Sequence, residues 1–166
     1  MQLREATIDD LEVIQWWHQQ SHIVDAGPGF DYKWERELNR NPEWRKQYIA
    51  LADNEPVGFL QIYDPYDEDS GRWENVSRKL RAIDVWIGEP ENLNKGYGTK
   101  MMQQAMKLAF EDPEVHALMV DPVITNKKAQ RFYARLGFKF VESKKIYGEN
   151  CYILKIRRDQ YEKPAI

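Results

Sequence analysis

One glycine loop decides how this chain is organised, Asn94-Lys95-Gly96-Tyr97-Gly98-Thr99-Lys100. Residues 81–87 before it are mainly β-branched, apolar or aromatic and predict a strand. Two glycines one residue apart allow a tight turn with several exposed backbone N–H groups, and a helix start adds its positive dipole end. The apolar residues after the loop recur at helical spacing, which predicts one buried stripe formed by Met102, Ala105, Met106 and Ala109. Strand, glycine loop and helix in this order predict a site for an anionic cofactor.

The loop does not match two well-known phosphate motifs. A dinucleotide fingerprint needs a third glycine where Met101 stands, and no Gly-Lys-Ser/Thr string follows a four-residue gap as a P-loop requires. Gly-x-Gly between a strand and a helix also occurs as an ordinary turn. Both interpretations therefore stay open at this point.

Composition indicates a single globular domain, residues 1–166, in a reducing compartment. The formal net charge is −3, whereas nucleic-acid phosphates are held by basic surfaces, so we expect no nucleic-acid partner. The one cysteine, Cys151, excludes an internal disulfide framework. No stretch has the length and hydrophobicity of a membrane span. We expect a cytoplasmic protein, monomeric or homodimeric, with no membrane partner.

Acidic residues crowd one segment, residues 64–74, in which Arg72 is the one opposing charge. Most charge runs of this kind are solvated loops. Alternatively, the segment forms an electrostatic collar that attracts a cationic substrate. The acidic residues concerned are Asp64, Asp67, Glu68, Asp69 and Glu74.

Patterns of hydrophobicity predict an α/β protein with a mixed sheet of about seven strands and about four helices. Strands and helices alternate in the middle of the chain, and hairpins flank them. The sequence Asp-Asn-Glu-Pro at residues 53–56 supplies the turn of the first hairpin. Predicted strands cover residues 3–6, 47–52, 57–63, 80–87, 115–120, 139–144 and 150–157. Four helices are predicted. The first begins after residue 10, the second covers residues 35–46, the third runs from the glycine loop to residue 110 and the fourth covers residues 126–136.

The order of these motifs resembles that of the GNAT acyltransferases, which move an acetyl group from acetyl-CoA to an amine. The resemblance covers essentially the whole chain and is most specific in the glycine loop and in residues 126–138. The family loop usually begins with Gln or Arg, where this chain has Leu93. Residues 21–25, 83–84, 112–115 and 121–122 are similar to segments of aminoglycoside 6'-N-acetyltransferases, and residues 71–74 resemble a tryptophan-bearing acidic segment there.

The resemblance implies a GNAT fold, acetyl-CoA as the acetyl donor and a cationic small molecule as the acceptor, with the 6'-amino group of an aminoglycoside as the leading candidate. It implies that the pantetheine arm lies beside the strand that contains Asp84, with the pyrophosphate on the amides of the glycine loop. Asn126 is similar to a side chain that contacts the cofactor arm in the family. The implied cofactor-binding residues are Val85, Trp86, Lys95, Gly96, Tyr97, Gly98, Thr99, Lys100 and Asn126.

Asp84 and Tyr133 are the candidates for catalysis. Tyr133 matches the tyrosine that GNAT enzymes place near the thioester sulfur, and a phenol of pKa about 10 can protonate a thiolate of pKa about 8.5. Tyr133 also belongs to the apolar stripe of its helix, so a core role is the alternative. Asp84 interrupts an otherwise apolar strand. An ordinary carboxylate is a weak base, so we expect Asp84 to orient the amine and assist its deprotonation, unless it caps a turn.

The acceptor is expected to contact six residues. Asp121 follows the fifth strand and could face the same cleft as Asp84, or it could be a turn aspartate before Pro122. Gln61 and Tyr63 share one face of a strand by alternation. Trp73 could stack on a sugar ring or anchor its loop. The predicted acceptor residues are Asp25, Gln61, Tyr63, Trp73, Asp84 and Asp121.

No metal site is predicted, because His18, His22 and His116 lie on different predicted elements. Two other functions stay open. The acceptor could be a polyamine, a siderophore precursor or a peptide amine, or the chain could be a CoA-binding module without catalysis. The presence of Asp84 and Tyr133 favours an enzyme, because a binding module would need only the glycine loop.

Overall fold

One mixed sheet of seven strands organises the computed structural model, which describes residues 1–27 and 31–163. The strands are β1 (Gln2–Glu5), β2 (Arg45–Ala52), β3 (Glu55–Tyr63), β4 (Leu80–Ile87), β5 (Ala117–Val120), β6 (Lys139–Ile146) and β7 (Glu149–Arg157). They lie in the order β1-β2-β3-β4-β5-β7-β6, and within the described residues only β4 and β5 pair in parallel. The predicted mixed sheet is confirmed, and each strand bound lies within two residues of the predicted one.

Six α-helices accompany the sheet in the described part of the chain, two more than predicted. They are α1 (Leu11–Trp17), α2 (Ser21–Val24), α3 (Trp34–Asn39), α4 (Tyr97–Ala109), α5 (Lys127–Arg135) and α6 (Arg158–Glu162). The unpredicted α2 and α6 have 4 and 5 residues, too few for a periodic pattern. α3 ends well before the predicted residue 46, because Pro42 cannot continue a helix and β2 starts at Arg45. The 13-residue α4 is the longest of the described helices, and none of them combines the length and apolar character needed to cross a bilayer.

The β2–β3 hairpin forms around the predicted turn. Asp53 and Asn54 have φ angles of 51° and 66°, in the left-handed region that these two residue types tolerate better than most. Strand pairing then continues from β3 to β4 and aligns Gln61 with Asp84. The hairpin therefore delivers an amide side chain beside the candidate carboxylate.

Helices cover both faces of the sheet. The predicted stripe of α4 is confirmed, since its four residues are at most 5% exposed. Neighbouring residues of a strand point to opposite faces, so Leu60 packs in the cluster of α4 and Phe59 in the cluster of α1 and α3. The second cluster also buries Ile14, Trp17 and Trp34. Burial on two faces fixes the register of β3, and with it the position of Gln61.

The sheet opens where β4 and β5 separate. The two strands pair only over residues 80–82 and 117–119, although β4 continues to Ile87. On its other side β4 stays paired, because Gly88 donates its N–H to the Val57 carbonyl. The Trp86 carbonyl also faces β3, so closely that a Cβ on Gly58 would lie 2.3 Å from its oxygen. Backbone groups alternate in direction along an antiparallel strand, so the N–H and C=O of Val85 face the open side.

Candidate active site

A groove of about 970 Å³ runs along the open side of β4, between the glycine loop and α5. This volume lies at the upper end of the range for ligand pockets and suits an extended molecule. Among the residues predicted to bind the cofactor, those that line the groove are Val85, Gly96, Gly98, Thr99 and Asn126. Lys95, Tyr97 and Lys100 are not part of its described lining, and neither is Trp86, whose backbone carbonyl faces β3.

The loop before α4 exposes backbone N–H groups at one end of this groove. Asn94 and Gly96 have φ angles of 61° and 80°, and Gly96 is the N-cap of α4. No side chain of residues 1–27 or 31–163 caps this helix, so its first N–H groups have no partner within it. The ammonium of Lys95 points back to the side chain of Asn92, 3.4 Å away. The groups of the loop that are suited to an anion are therefore its backbone N–H groups.

Helix α5 forms a wall of the groove and has no buried residue. Phe132 and Tyr133, from the predicted apolar stripe, line the groove and also pack against the main hydrophobic core. Periodicity identifies the apolar face of a helix, but it cannot distinguish a core from a cavity. The same helix supplies cations suited to phosphate groups. These cations were not predicted, although Lys127, Arg131 and Arg135 recur at every fourth position. The four cations are Lys127, Lys128, Arg131 and Arg135.

Asn126 begins α5 and lines both the groove and a smaller cavity beside it. Its Oδ1 accepts a hydrogen bond from the Ala129 N–H at 3.0 Å, which caps the helix. Its Nδ2 lies 3.5 Å from the Ala26 carbonyl. A side-chain amide nitrogen carries two hydrogens, so Asn126 retains a donor for a ligand.

The smaller cavity, called the inner cavity below, has a volume of about 160 Å³ and contains both predicted catalytic residues. Asp84 enters it from β4, Asp121 from the end of β5 and Tyr133 from α5. The Asp84 carboxylate accepts a hydrogen bond from Gln61 Nε2 at 2.7 Å and lies 3.7 Å from Arg72 Nη2. The structure thus brings together three groups predicted from separate elements, two carboxylates and a phenol.

Burial and charge shift the pKa values of groups in the inner cavity. Burial raises the pKa of Asp121 to about 6, and the charge of Asp84 adds to this rise while Arg72 opposes it. Burial also raises the pKa of the Tyr133 phenol, with a further contribution from the two carboxylates. Tyr133 therefore stays protonated near neutral pH. Its hydroxyl makes no hydrogen bond to the described residues and is available as a donor.

The other predicted acceptor residues lie elsewhere. Gln61 and Tyr63 share one face of β3, as predicted, and line an outer cavity of about 100 Å³. Asp25 is exposed and lines the groove. Trp73 is part of the described lining of neither cavity and packs against a buried cluster that includes Leu80. This position agrees with the alternative role of Trp73, that of a loop anchor.

The acidic segment at residues 64–74 does not form an open electrostatic collar. Three of its carboxylates pair with arginines from outside the segment: Asp64 with Arg81 at 3.1 Å, Asp67 with Arg78 at 3.4 Å and Asp69 with Arg40 at 2.6 Å. Arg40 lies 29 positions from its partner in the sequence. Composition within the segment could not reveal such pairs, which cancel much of its field.

Comparison with known families identifies the fold. Residues 7–146 match the acetyltransferase (GNAT) domain. This chain belongs to the GNAT acetyltransferase family. The matched residues of the GNAT chain include the glycine loop, both carboxylates of the inner cavity and Tyr133.

Two named proteins and one solved structure show what this GNAT chain is similar to. An aminoglycoside N(6')-acetyltransferase type 1 of Klebsiella pneumoniae is 34% identical over 146 residues, which are 82% of this chain and 73% of the relative. A kanamycin resistance protein of Rhizobium radiobacter is 37% identical over 73 residues, 43% of this chain and 68% of the relative. The solved structure of AAC(6')-Ib with ribostamycin and coenzyme A has a TM-score of 0.87 and 29% identity, covering 99% of this chain and 97% of that one.

Among the described residues of the GNAT chain, three that were not predicted as site residues border both cavities: Tyr32, Arg72 and Tyr147. Tyr147 also donates its hydroxyl to Ser70 Oγ at 2.7 Å, which ties the β6–β7 turn to the acidic segment. The one sequence signal for Arg72 is its place as a lone cation among acidic residues. Tyr32 and Tyr147 reach the cavities from distant segments, and no local pattern indicates this.

A valine at Gly96 tests the glycine loop. We expect Gly96→Val to weaken acetyl-CoA binding by about tenfold or more, because the side chain would stand among the N–H groups of the loop. Calorimetric titration with acetyl-CoA measures this effect. Gly148 has a φ angle of 81°, and a Cβ added to either glycine would meet no atom of another segment within 4 Å, so Gly148→Val controls for backbone strain. Equal affinities in the two variants would remove the loop from the site.

Proposed function

We propose that this chain transfers the acetyl group of acetyl-CoA to a primary amine of an aminoglycoside, the 6'-amino group. The observation that carries this proposal is the meeting of Asp84, Asp121 and Tyr133 in a cavity that opens beside the groove. Two carboxylates suit an ammonium, and a phenol suits a departing thiolate. The names of the relatives support the aminoglycoside as the acceptor class.

The groove fits the donor in charge and shape. The N–H groups at the start of α4 and the cations of α5 would hold its phosphates, and the open backbone of Val85 would pair with the amides of the pantetheine arm. Bound acetyl-CoA supplies an activated thioester, whose acetyl carbon forms a bond to the amine nitrogen as the bond to sulfur breaks. The residues of this chain therefore have to position the donor and handle protons.

Asp84 would hold the acceptor nitrogen. It accepts a hydrogen bond from Gln61, and its side chain is 16% exposed, so the carboxylate is oriented but reachable. An ammonium cannot act as a nucleophile until it loses its proton. We assign to Asp84 the binding and orientation of the amine and assistance in its deprotonation, with Asp121 as the second carboxylate.

Tyr133 would supply a proton to the thiolate. Its raised pKa keeps the hydroxyl protonated, and the described residues do not engage that hydroxyl. The raised pKa also makes full proton transfer more uphill than for an ordinary phenol. Stabilisation of the developing thiolate by a hydrogen bond is therefore the larger part of the role that we assign to Tyr133.

A thiol-release assay tests the proposed function. The protein is incubated with acetyl-CoA and a panel that contains kanamycin, spermidine, a peptide amine and a simple monoamine. Turnover that is fastest with kanamycin, with mass spectrometry locating the acetyl group on the 6' nitrogen, supports the proposal. Faster turnover of another amine would reassign the acceptor, and acetyl-CoA binding without any turnover would indicate a binding module.

The pKa of Asp121 leads to a prediction about pH. A carboxylic acid is neutral below its pKa, so Asp121 should lose its charge as the pH falls below about 6. We expect kcat/KM for kanamycin to fall about tenfold per pH unit there, because an ammonium then loses a counter-ion. Profiles from about pH 5 to 8 check this. In Asp121→Asn the acidic limb should be much shallower, and an unchanged limb would assign it to another group.

A further inference from the structure

The guanidinium of Arg72 lies in the space where the acceptor would bind. Its Nη2 donates a hydrogen bond to the Tyr63 hydroxyl and lies 3.7 Å from the Asp84 carboxylate. The Arg72 side chain is only 11% exposed and borders both cavities. Aromatic rings surround the cation, at 4.9 Å for Tyr63 and 5.8 Å for Tyr147. Arg72 is thus held in the site by contacts from several sides.

The charged residues that line the inner cavity leave one negative charge uncompensated. Among the described residues of its lining, the charged ones are Arg72, Asp84 and Asp121. Two ionised carboxylates and one guanidinium give a net charge of −1, which matches a single ammonium group. Without the guanidinium the same cavity would have a net charge of −2.

The outer cavity offers no surplus of negative charge for further ammonium groups. Arg72 is already counted with the inner cavity. Without it the described lining contains four acidic residues, namely Asp31, Glu37, Glu68 and Asp69, and three basic ones, namely Lys33, Arg36 and Arg45. Arg40, from outside this lining, pairs with Asp69 at 2.6 Å and restores the balance. Several of these charges pair with each other, including Arg45 with Glu37 and Arg72 with Glu68 at 4.0 Å. A polycation that entered here would have to displace existing pairs.

Arg72 also faces a second carboxylate. Its Nε is buried and has no hydrogen-bond partner in the described part of the chain, but it lies 4.0 Å from Glu68 Oε2. Its Nη2 lies 3.7 Å from the Asp84 carboxylate. The guanidinium therefore stands between carboxylates of the two cavities.

We propose that Arg72 is a specificity-determining residue of the acceptor site, a built-in counter-ion to Asp84 and Asp121 that limits how many ammonium groups an acceptor can place there. This inference rests on the proposed function, because it concerns the acceptor of that reaction. It makes a further claim, that Arg72 disfavours polycations relative to amines with a single charge.

Two substitutions at Arg72 separate charge from packing. Arg72→Gln removes the charge, and Arg72→Lys keeps it. The quantity measured is the ratio of kcat/KM for kanamycin to kcat/KM for cyclohexylmethylamine, a monoamine, at saturating acetyl-CoA. We expect Arg72→Gln to raise this ratio on the order of tenfold at low salt, with a smaller rise at high salt, because added salt screens the charge. Arg72→Lys should keep the ratio of the parent protein.

Arg78→Gln is the matched control. Arg78 belongs to the same region but is 65% exposed, pairs with Asp67 and is absent from the described lining of both cavities. Its loss should leave the ratio within about twofold of the parent value. If Arg72 only supports packing, both acceptors will lose activity together in Arg72→Gln and the ratio will not move. An unchanged or lower ratio overturns the inference.

Binding measurements separate this inference from the proposed function. Kanamycin and the monoamine are titrated calorimetrically into the parent protein and into Arg72→Gln, which requires no turnover. A parent protein that transfers no acetyl group to any amine refutes the proposed function, whatever the titrations show. Tighter binding of kanamycin relative to the monoamine in Arg72→Gln supports the role of Arg72, and equal changes for both ligands refute it.

Discussion

Asp84→Asn should lower kcat/KM for the acceptor about a hundredfold or more, with acetyl-CoA affinity close to that of the parent protein. Asparagine keeps the shape of aspartate but cannot hold an ammonium by charge or accept its proton. The substitution also leaves Arg72 beside an uncharged group, which further disfavours a cationic acceptor. Initial-rate kinetics with kanamycin, together with calorimetric titration of acetyl-CoA, measure the two effects separately.

Asp67→Asn is the matched control for Asp84→Asn. Asp67 is a carboxylate of the acidic segment that pairs with Arg78 at 3.4 Å and is 44% exposed. Exposed ion pairs contribute little, so we expect this variant to retain kcat/KM within about twofold. If Asp84→Asn and Asp67→Asn gave similar rates, Asp84 would have no special part in acceptor binding.

Tyr133→Phe should lower kcat about a hundredfold while the protein stays folded. The centroid of the Tyr133 ring lies 5.2 Å from that of Phe132 and 5.9 Å from that of Phe138, and a phenylalanine ring preserves both contacts. The hydroxyl has no hydrogen bond to the described residues, so its removal should change the free energy of unfolding by less than about 1 kcal/mol. Single-turnover kinetics and chemical denaturation check the two expectations.

Tyr161→Phe is a matched control on α6. Tyr161 stacks on Phe110 with ring centroids 4.8 Å apart, and it is not part of the described lining of the groove or of either cavity. This variant should keep the kcat of the parent protein. Parental kcat in Tyr133→Phe as well would make Tyr133 a packing residue only.

Local patterns predicted the sheet and the turn at the glycine loop, because apolar runs bounded by turn residues indicate strands and helical periodicity indicates a buried stripe. The α4 stripe and the β2–β3 turn illustrate this. The same periodicity placed Phe132 and Tyr133 in a stripe without revealing that the stripe faces the groove. Asp84 became a candidate because a carboxylate in an apolar strand is unusual, whereas the resemblance to a family was needed to select Tyr133.

Pairings between distant segments account for most of what the sequence did not reveal. The acidic segment showed only Arg72 as an opposing charge because Arg40 and Arg81, which neutralise two of its carboxylates, lie outside it. Arg72 became a candidate only once its distance to Asp84 was known. Charge composition within a segment predicts its field only when the fold brings no partners from elsewhere.

The separation of β4 from β5 also means that different parts of the chain form most of the groove and supply the side chains between the two cavities. The groove that we propose for the donor is built from β4, α4 and α5, whereas Arg72 and Tyr147 reach the cavities from a loop and from a hairpin turn. On this proposal, changes in that loop or that turn would alter which amine is accepted without disturbing the residues that hold the acetyl donor. Such an arrangement would let one acetylation scaffold diversify its substrates through a few peripheral side chains.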